Sequence, residues 1–265
     1  MVINQKDISS NVKSALAEDV GDGDVTAELI PETAMASATL ITREHAIVAG
    51  CQWFDEVFNQ LAPATSINWQ IADGDAVVPE QILCTIEGSA RSLLTGERTA
   101  INFLQTLSAT ATTVASFVDI IKDTHTKILD TRKTIPGLRL AQKYAVACGG
   151  GTNHRIGLFD AILIKENHIM AAGSITQAVT QAKAKNLPVE VEVESLSELE
   201  EALEAKADQI LLDNFDLALL EKAVNINQGR AKLEASGNIS KDDLYAIAKT
   251  GVDYISIGAL TKHIR

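Results

Sequence analysis

Cysteine is scarce in this chain. Cys51, Cys84 and Cys148 are odd in number, widely spaced and form no CxxC pair, which argues against a thiolate metal site and for a reducing compartment. The amino-terminal stretch MVINQKDISSNVKSALAEDVG is amphipathic but has no long apolar run. It reads as neither a signal peptide nor a membrane span, and a cytoplasmic location is expected. Basic residues are in the minority, 23 Lys and Arg against 35 Asp and Glu for a net charge of −12. That balance disfavours non-specific binding to nucleic acid or to a membrane, and neither is expected as a partner. Two common ligand motifs are incomplete. GDGDVTAELI, residues 21–30, is rich in Gly and Asp but lacks the longer ligand spacing of an EF-hand, so it reads as a loop. Gly149-Gly150-Gly151 lacks the GK[ST] ending of a Walker motif and reads as a hinge between helix and strand.

What remains is the composition of a globular protein, 46% hydrophobic and 22% charged over 265 residues. That length suits one large α/β domain, or a barrel with a smaller domain attached. Residues 8–20 predict a first helix with Ser9 or Ser10 as cap and Gly21 as stop. Residues 35–49 alternate as a strand, 52–61 follow a helical period, and 67–71 and 82–87 read as strands around turns at Asp73-Gly74 and Pro79. These make a small α+β layer. Residues 91–121 form one long helical pattern, with a break expected at the Ser/Thr/Ala stretch 108–113. The boundary is placed at 107/108, with an amino-terminal α+β domain over 1–107 and an α/β domain over 108–265.

From Lys127 onward a short apolar run is followed repeatedly by a helical pattern. Six runs end near Asp130, Ile164, Glu194, Leu212, Ser236 and Ile257, with helices over 138–148, 174–185, 197–205, 217–225 and 241–249. This rhythm predicts a parallel sheet with right-handed crossovers. Six repeats are fewer than the eight of a closed (β/α)₈ barrel, so the fold class expected is α/β, an incomplete (β/α) barrel with an amino-terminal α+β sandwich-like domain. The barrel is either left open or closed by the segment before Lys127, and an open doubly wound sheet is the rival. The strand faces favour the barrel. Val189, Val191 and Val193 alternate with Glu190, Glu192 and Glu194, and three carboxylates buried under helices on both faces of an open sheet would be costly. Glu190 and Glu192 are expected to be structural partners of interior cations.

Cations concentrate where the apolar runs stop. Residues 127–168 carry Arg132, Lys133, Arg139, Lys143, His154, Arg155, Lys165 and His168 in an otherwise acidic chain. At the carboxyl ends of parallel strands such a rim predicts a substrate with several negative charges. The strand-end residues are Thr131-Arg132-Lys133, Lys165-Glu166-Asn167-His168, Glu194, Asp213-Asn214, Ser236-Gly237-Asn238 and Gly258. The Gly and Ser positions can turn backbone N–H groups toward a phosphate. Glu194 and Asp213 are the expected Mg²⁺ ligands, since that ion takes one or two carboxylates and leaves the rest of its octahedron to phosphates and water.

Several segments resemble the quinolinate phosphoribosyltransferases, also called carboxylating nicotinate-nucleotide pyrophosphorylases. The segments are GERTAINFLQTLSATAT (96–112), DTRKTIPGLRLAQKYAVACGGGTNHRIGLFDAILIKENH (130–168), VEVEVESL (189–196), ILLDNF (210–215), LEASGNIS (233–240) and GVDYISIGALTKH (251–263), and they occur in family order. The resemblance implies quinolinate and phosphoribosyl pyrophosphate as substrates, Mg²⁺ as cofactor, and a homodimer whose active sites borrow residues across the interface. It implies that Arg132, His154, Arg155 and Lys165, with Thr131, hold quinolinate, and that Arg98 reaches in from the partner. Lys133 would sit between the substrates as a catalytic group with Glu194 and Asp213, which serve ribose and metal. Ser236, Gly237, Asn238 and Gly258 would cradle the phosphate. ILLDNF carries a single Asp, unlike the paired-acid signature of commoner phosphoribosyltransferases. The chain also ends at Arg265, where family members usually continue, which puts dimer packing and closure of the last strand in question. A noncarboxylating phosphoribosyltransferase, a Schiff-base aldolase using Lys133 or Lys165, and a non-catalytic anion-binding barrel remain as alternatives.

Overall fold

In the computed structural model, which describes residues 2–263, helix α1 (Gln5–Asp19) is capped by Asn4, whose side chain accepts from the Lys6 amide. Ser9 and Ser10, the expected caps, lie inside the helix, because Asn4 already meets the free amides of the first turn. Ile8, Val12 and Leu16, spaced by four, form its buried stripe. The chain continues through β1 (Met35–Ile41), β2 (Ala46–Ile47), α2 (Cys51–Leu61), β3 (Ser66–Trp69), β4 (Ala76–Val77) and β5 (Ile82–Ser89) to the long helix α3 (Ala90–Val118). β5 lies between β1 and β3, antiparallel to both, and β2 pairs with β4. α2 buries Trp53, Phe54, Val57 and Phe58, and Phe54 stacks edge-on against Trp69 at 5.2 Å between centroids.

α3 runs without a break through residues 108–113, where interruption was expected. The hydroxyls there bind other backbone instead of competing with the helix: Ser108 Oγ accepts from the Ala49 amide (3.0 Å) and Thr112 Oγ1 from the Ile47 amide (2.9 Å). The helix with its following turn (Ala90–Ile121) is long and apolar enough by composition to cross a membrane. Ala100, Leu104, Leu107 and Ala111 are nevertheless packed into the same core as Trp53 and Phe54, which makes this the central helix of a folded unit. Cys51, Cys84 and Cys148 are unpaired, and burial pushes their thiols up, so none is disposed to form a thiolate.

The second half alternates strand and helix: β6 (Lys127–Leu129), α4 (Arg139–Cys148), β7 (Ile162–Ile164), α5 (Glu166–Ala172), α6 (Ile175–Lys183), β8 (Val189–Val193), α7 (Leu196–Glu204), β9 (Gln209–Asp213), α8 (Leu217–Asn227), β10 (Lys232–Ser236), α9 (Lys241–Lys249), β11 (Tyr254–Ser256) and α10 (Ala259–Lys262). Among the described residues the six strands are all parallel, in the order β6-β11-β10-β9-β8-β7. Ser174, Ser195, Asp216 and Ser240 each cap the helix that follows by accepting an amide three residues on. Val189, Val191 and Val193 are fully buried on the helix side, as period two requires. The free edge of β6 is met by Thr152, whose amide donates to Ile128 (2.8 Å) and whose carbonyl accepts from Asp130 (3.2 Å). It is thus the segment around Thr152 that extends the open barrel, and not the segment before Lys127.

Two compact units emerge, one comprising Met1–Ala115, Thr134–Gly150 and Thr261–Arg265, the other Ser116–Lys133 and Gly151–Leu260. A linear boundary at 107/108 falls inside α3, and α4 belongs to the first unit, where Ala141 and Ala145 join the core and Tyr144 donates to Asp73 (2.7 Å). The chain end at Ile264 and Arg265, on which closure was expected to bear, lies outside the described residues. Gly149 closes α4 so tightly that an added Cβ would lie 2.3 Å from the Ala111 carbonyl and 2.9 Å from Val114. Gly149→Ala should therefore cost about 1–3 kcal/mol in denaturant unfolding; an unchanged midpoint would mean that this contact yields freely.

Candidate active site

The site is assembled in the second unit from residues that follow the parallel strands. After β6, the Lys133 amide donates to Thr131 Oγ1 (3.1 Å), a turn that places Arg132 and Lys133 at the strand end. Lys133 runs along Gly258 beyond β11, and a Cβ on that glycine would meet Lys133 Cδ at 2.8 Å. Gly258 thereby provides the groove for the lysine stem. Lys165 follows β7 and forms an ion pair with Glu192 of β8. Asp213 ends β9 and is half-buried. Burial, and then the charge of Glu192, push its carboxyl above the usual range against the pull of Lys165 and Lys133. After β10, Gly237 (φ +109°) lies so close to Asn214 that a Cβ would sit 2.2 Å from its Oδ1, and Ser236 and Asn238 flank that turn.

Glu194 is not part of this group. β8 ends at Val193, Glu194 is exposed, and its amide is taken by the Glu198 carboxylate (2.7 Å) as α7 begins at Leu196. The acid beside Lys165 and Asp213 is Glu192, one pleat earlier on the same face. The expected pair Glu194 and Asp213 is thus corrected to Glu192 and Asp213. The period-two pattern already put Glu192 on the inner face; the early helix cap at Ser195 is what pulls Glu194 off it.

Arg132 and Arg155 lie close enough to repel. Burial, and then the Arg132 charge, lower the Arg155 pKa, while Glu190 and Asp160 oppose this. Arg155 also donates from Nη1 to the Ala161 carbonyl (3.3 Å). The loop carrying it is held by acids: buried Asp130 accepts from Asn153 Nδ2 (2.7 Å) and the His154 amide (2.8 Å), and Asp160 accepts from the Ile156 and Gly157 amides.

His154 is held by acids inside the barrel. Its Nε2 lies 2.8 Å from Glu190 Oε2 and 3.5 Å from Glu234 Oε2, and its Nδ1 accepts the Arg155 amide (2.8 Å). Burial disfavours the imidazolium, while the hydrogen bonds and charges of Glu190 and Glu234 favour it and raise the pKa; the Arg155 amide opposes that protonation, because only the neutral ring can accept at Nδ1. A ring that accepts at Nδ1 carries its proton on Nε2, so the local hydrogen bond sets the tautomer. Gln209 Nε2 donates to Glu190 (3.0 Å) and to Glu234 (2.6 Å). Ligand-type atoms of His154, Glu190 and Glu234 all fall within 4.8 Å of one another, a spacing that a divalent ion can use. The 2.8 Å contact and the two amide bonds are instead those of a hydrogen-bond network. Arg98 is exposed on α3 in the other unit.

An open parallel barrel whose strand ends gather Arg132, Lys133, Arg155 and Lys165 around two carboxylates is a site for polyanionic substrates, the class to which phosphoribosyl-transferring enzymes belong. Residues 24–108 match the family model for the quinolinate phosphoribosyl transferase N-terminal domain, and residues 110–265 that for the C-terminal domain. The chain belongs to the quinolinate phosphoribosyltransferase family. It is 41% identical to the carboxylating nicotinate-nucleotide pyrophosphorylase of Mycobacterium leprae, over 96% of this chain and 93% of that protein. The probable carboxylating nicotinate-nucleotide pyrophosphorylase of Bacillus subtilis is 39% identical over 94% of this chain and 87% of its own length. The solved nicotinate-nucleotide pyrophosphorylase of Francisella tularensis superposes with a TM-score of 0.97 at 51% identity, covering all of this chain and 95% of that one.

Two outcomes test the acid pair. Glu192→Gln should lower turnover about 100-fold or more while Glu194→Gln stays within about twofold, read by initial rates. The raised carboxyl of Asp213 means that its ionised form costs stability above its folded-state pKa, a cost absent below the ordinary carboxylate value. Asp213→Asn should then melt higher than the parent at neutral pH and equal to it near about pH 3; a lower melting point at both would contradict the repulsion.

Proposed function

We propose that this chain transfers the phosphoribosyl group of phosphoribosyl pyrophosphate to the ring nitrogen of quinolinate. Pyrophosphate and CO₂ are released and nicotinate mononucleotide is formed, on the route to NAD. The family and the activities for which its relatives are named support the reaction. The observation that carries the substrate choice is the repelling guanidinium pair, Arg132 and Arg155. Two guanidiniums near enough for one to lower the other's pKa suit a substrate with two adjacent carboxylates, because each Arg binds a carboxylate through two parallel hydrogen bonds.

In this reading Arg132 and Arg155, with Thr131 and Lys165, orient quinolinate so that its nitrogen faces the ribose carbon. Lys133, braced against Gly258, stands between the substrates and offsets the charge that develops on the departing pyrophosphate. The turn at Ser236-Gly237-Asn238 presents amides to the phosphate. The carbon–nitrogen bond forms as the carbon–oxygen bond to pyrophosphate breaks, through an oxocarbenium-like transition state that alignment and charge stabilise. The alkylated nitrogen is cationic, so the ring can hold the electron pair left when the adjacent carboxylate departs as CO₂, and that carbon then takes up a proton.

Glu192 and Asp213 fit Mg²⁺, since burial and then the charge of Glu192 push the Asp213 carboxyl up and a divalent cation would relieve that repulsion. When bound, Mg²⁺ would neutralise charge on the pyrophosphate. The reading includes a homodimer in the cytoplasm, in which Arg98 of the partner subunit completes the quinolinate site; its exposure on α3 leaves it free for that task. A Schiff-base role for Lys165 is disfavoured because the Glu192 ion pair holds it as the cation.

Purified protein supplied with both substrates should release pyrophosphate and CO₂ in equal amounts, and preferential turnover of nicotinate would sink the reading. Arg132→Ala should remove about 2–4 kcal/mol of transition-state binding, roughly 30- to 1000-fold in kcat/KM for quinolinate, with the fold intact.

A further inference from the structure

Three neighbouring strands converge beneath Arg155 on residues that the reaction does not use. Glu190 of β8, Gln209 of β9 and Glu234 of β10 meet at His154, and Glu234 is fully buried with one carboxylate oxygen, Oε1, lacking a hydrogen-bond partner. Such a group is expensive to keep in a core, and apolar residues of the same size would pack at lower cost. Its location explains the retention. The loop around residues 152–157 is bridged to β6 at Thr152, and side-chain acceptors order its backbone: Asp130, Asp160 and the Nδ1 of His154. Of these, His154 Nδ1 alone takes the amide of Arg155.

Packing by itself does not fix that ring. A cavity of about 220 Å³ borders His154, Arg155, Glu190 and Gln209, so there is room for the imidazole and the next residue to swing. Hydrogen bonds hold the ring instead. Nε2 is drawn to the two carboxylates, the carboxylates are bridged by the Gln209 amide, and the opposite nitrogen is thereby aimed at the Arg155 N–H.

We propose that Glu234, acting with Glu190 and Gln209 through His154, is a positioning residue that sets the direction in which Arg155 enters the substrate site. The inference rests on the reading of Arg155 as a quinolinate ligand. It assigns His154 to the inner face of the site, where it serves substrate binding without touching substrate. It also gives a reason for a carboxylate in the middle of β10, away from the strand end where the chemistry takes place.

The test combines kinetics with an observable that needs no turnover. With the full-length protein, Glu234→Ala should raise KM for quinolinate about tenfold or more while KM for phosphoribosyl pyrophosphate stays within about twofold. Glu234→Gln keeps an acceptor for both His154 and Gln209, and should return KM to within about threefold of the parent. In an Arg155→Ala background, Glu234→Ala should add nothing further to the quinolinate KM, because both changes act through one contact. Hydrogen exchange at the Arg155 amide should be slow in the parent and in Arg132→Ala but fast in Glu234→Ala. If Glu234→Ala does not fold, Gln209→Leu removes the bridge between the carboxylates and takes its place in every measurement. An unchanged quinolinate KM in a folded variant, an equal rise for both substrates, or additivity with Arg155→Ala would overturn the proposal. A parent enzyme inactive on quinolinate would instead refute the functional reading, and the exchange measurement would still decide the positioning role.

Discussion

Arg132 and Arg155 repel one another, and the second unit is built so that they stay together. Like charges that gather only when the substrate arrives would have to be collected at the expense of binding; charges already gathered are paid for in folding. The surrounding acids show how. Asp130 and Asp160 accept backbone amides of the loop, and Glu190 holds His154. The loop is held and the arginines remain available.

The same division of labour appears across the sheet. Lys165 has a paired acid in Glu192, while Asp213 has cations nearby and an acid close enough to raise its pKa. Half of the site is therefore positively overcharged and half is negatively strained. In the proposed reaction a dicarboxylic ring would relieve the first half, and pyrophosphate with its divalent cation would relieve the second. The two substrates are in this sense each other's complement in charge as well as in reactivity.

Much of the barrel was legible in the sequence because its signals are local. Six apolar runs with helical periods between them, four of which have Ser or Asp at their start, specify strands and helices whose observed ends differ by a residue or two. The errors have one physical origin, which is that side chains choose partners far away in sequence. Ser108 and Thr112 look like helix breakers until the amides of Ala49 and Ile47 are seen to need them. Glu194 continues the alternation on paper, but Glu198 and Ser195 start a helix there and end the strand. His154 carries the chemistry expected of a ligand, and only the folded sheet reveals that Glu190 and Glu234, 36 and 80 residues further on, claim its ring. Glu234 gave no local signal beyond alternating with Leu233 and Ala235.

The excursion of α4 bears on how the chain can be made. Its alanines join the core around Trp53 and Leu107, so that core lacks a wall until about a hundred and fifty residues have left the ribosome. By then β6 has been synthesised and must wait for β11, its hydrogen-bonded neighbour, which comes more than a hundred residues later. The opening strand of the barrel thus spends nearly half of translation with an edge exposed, and the acidic surface of this chain is a natural guard against self-association during that interval.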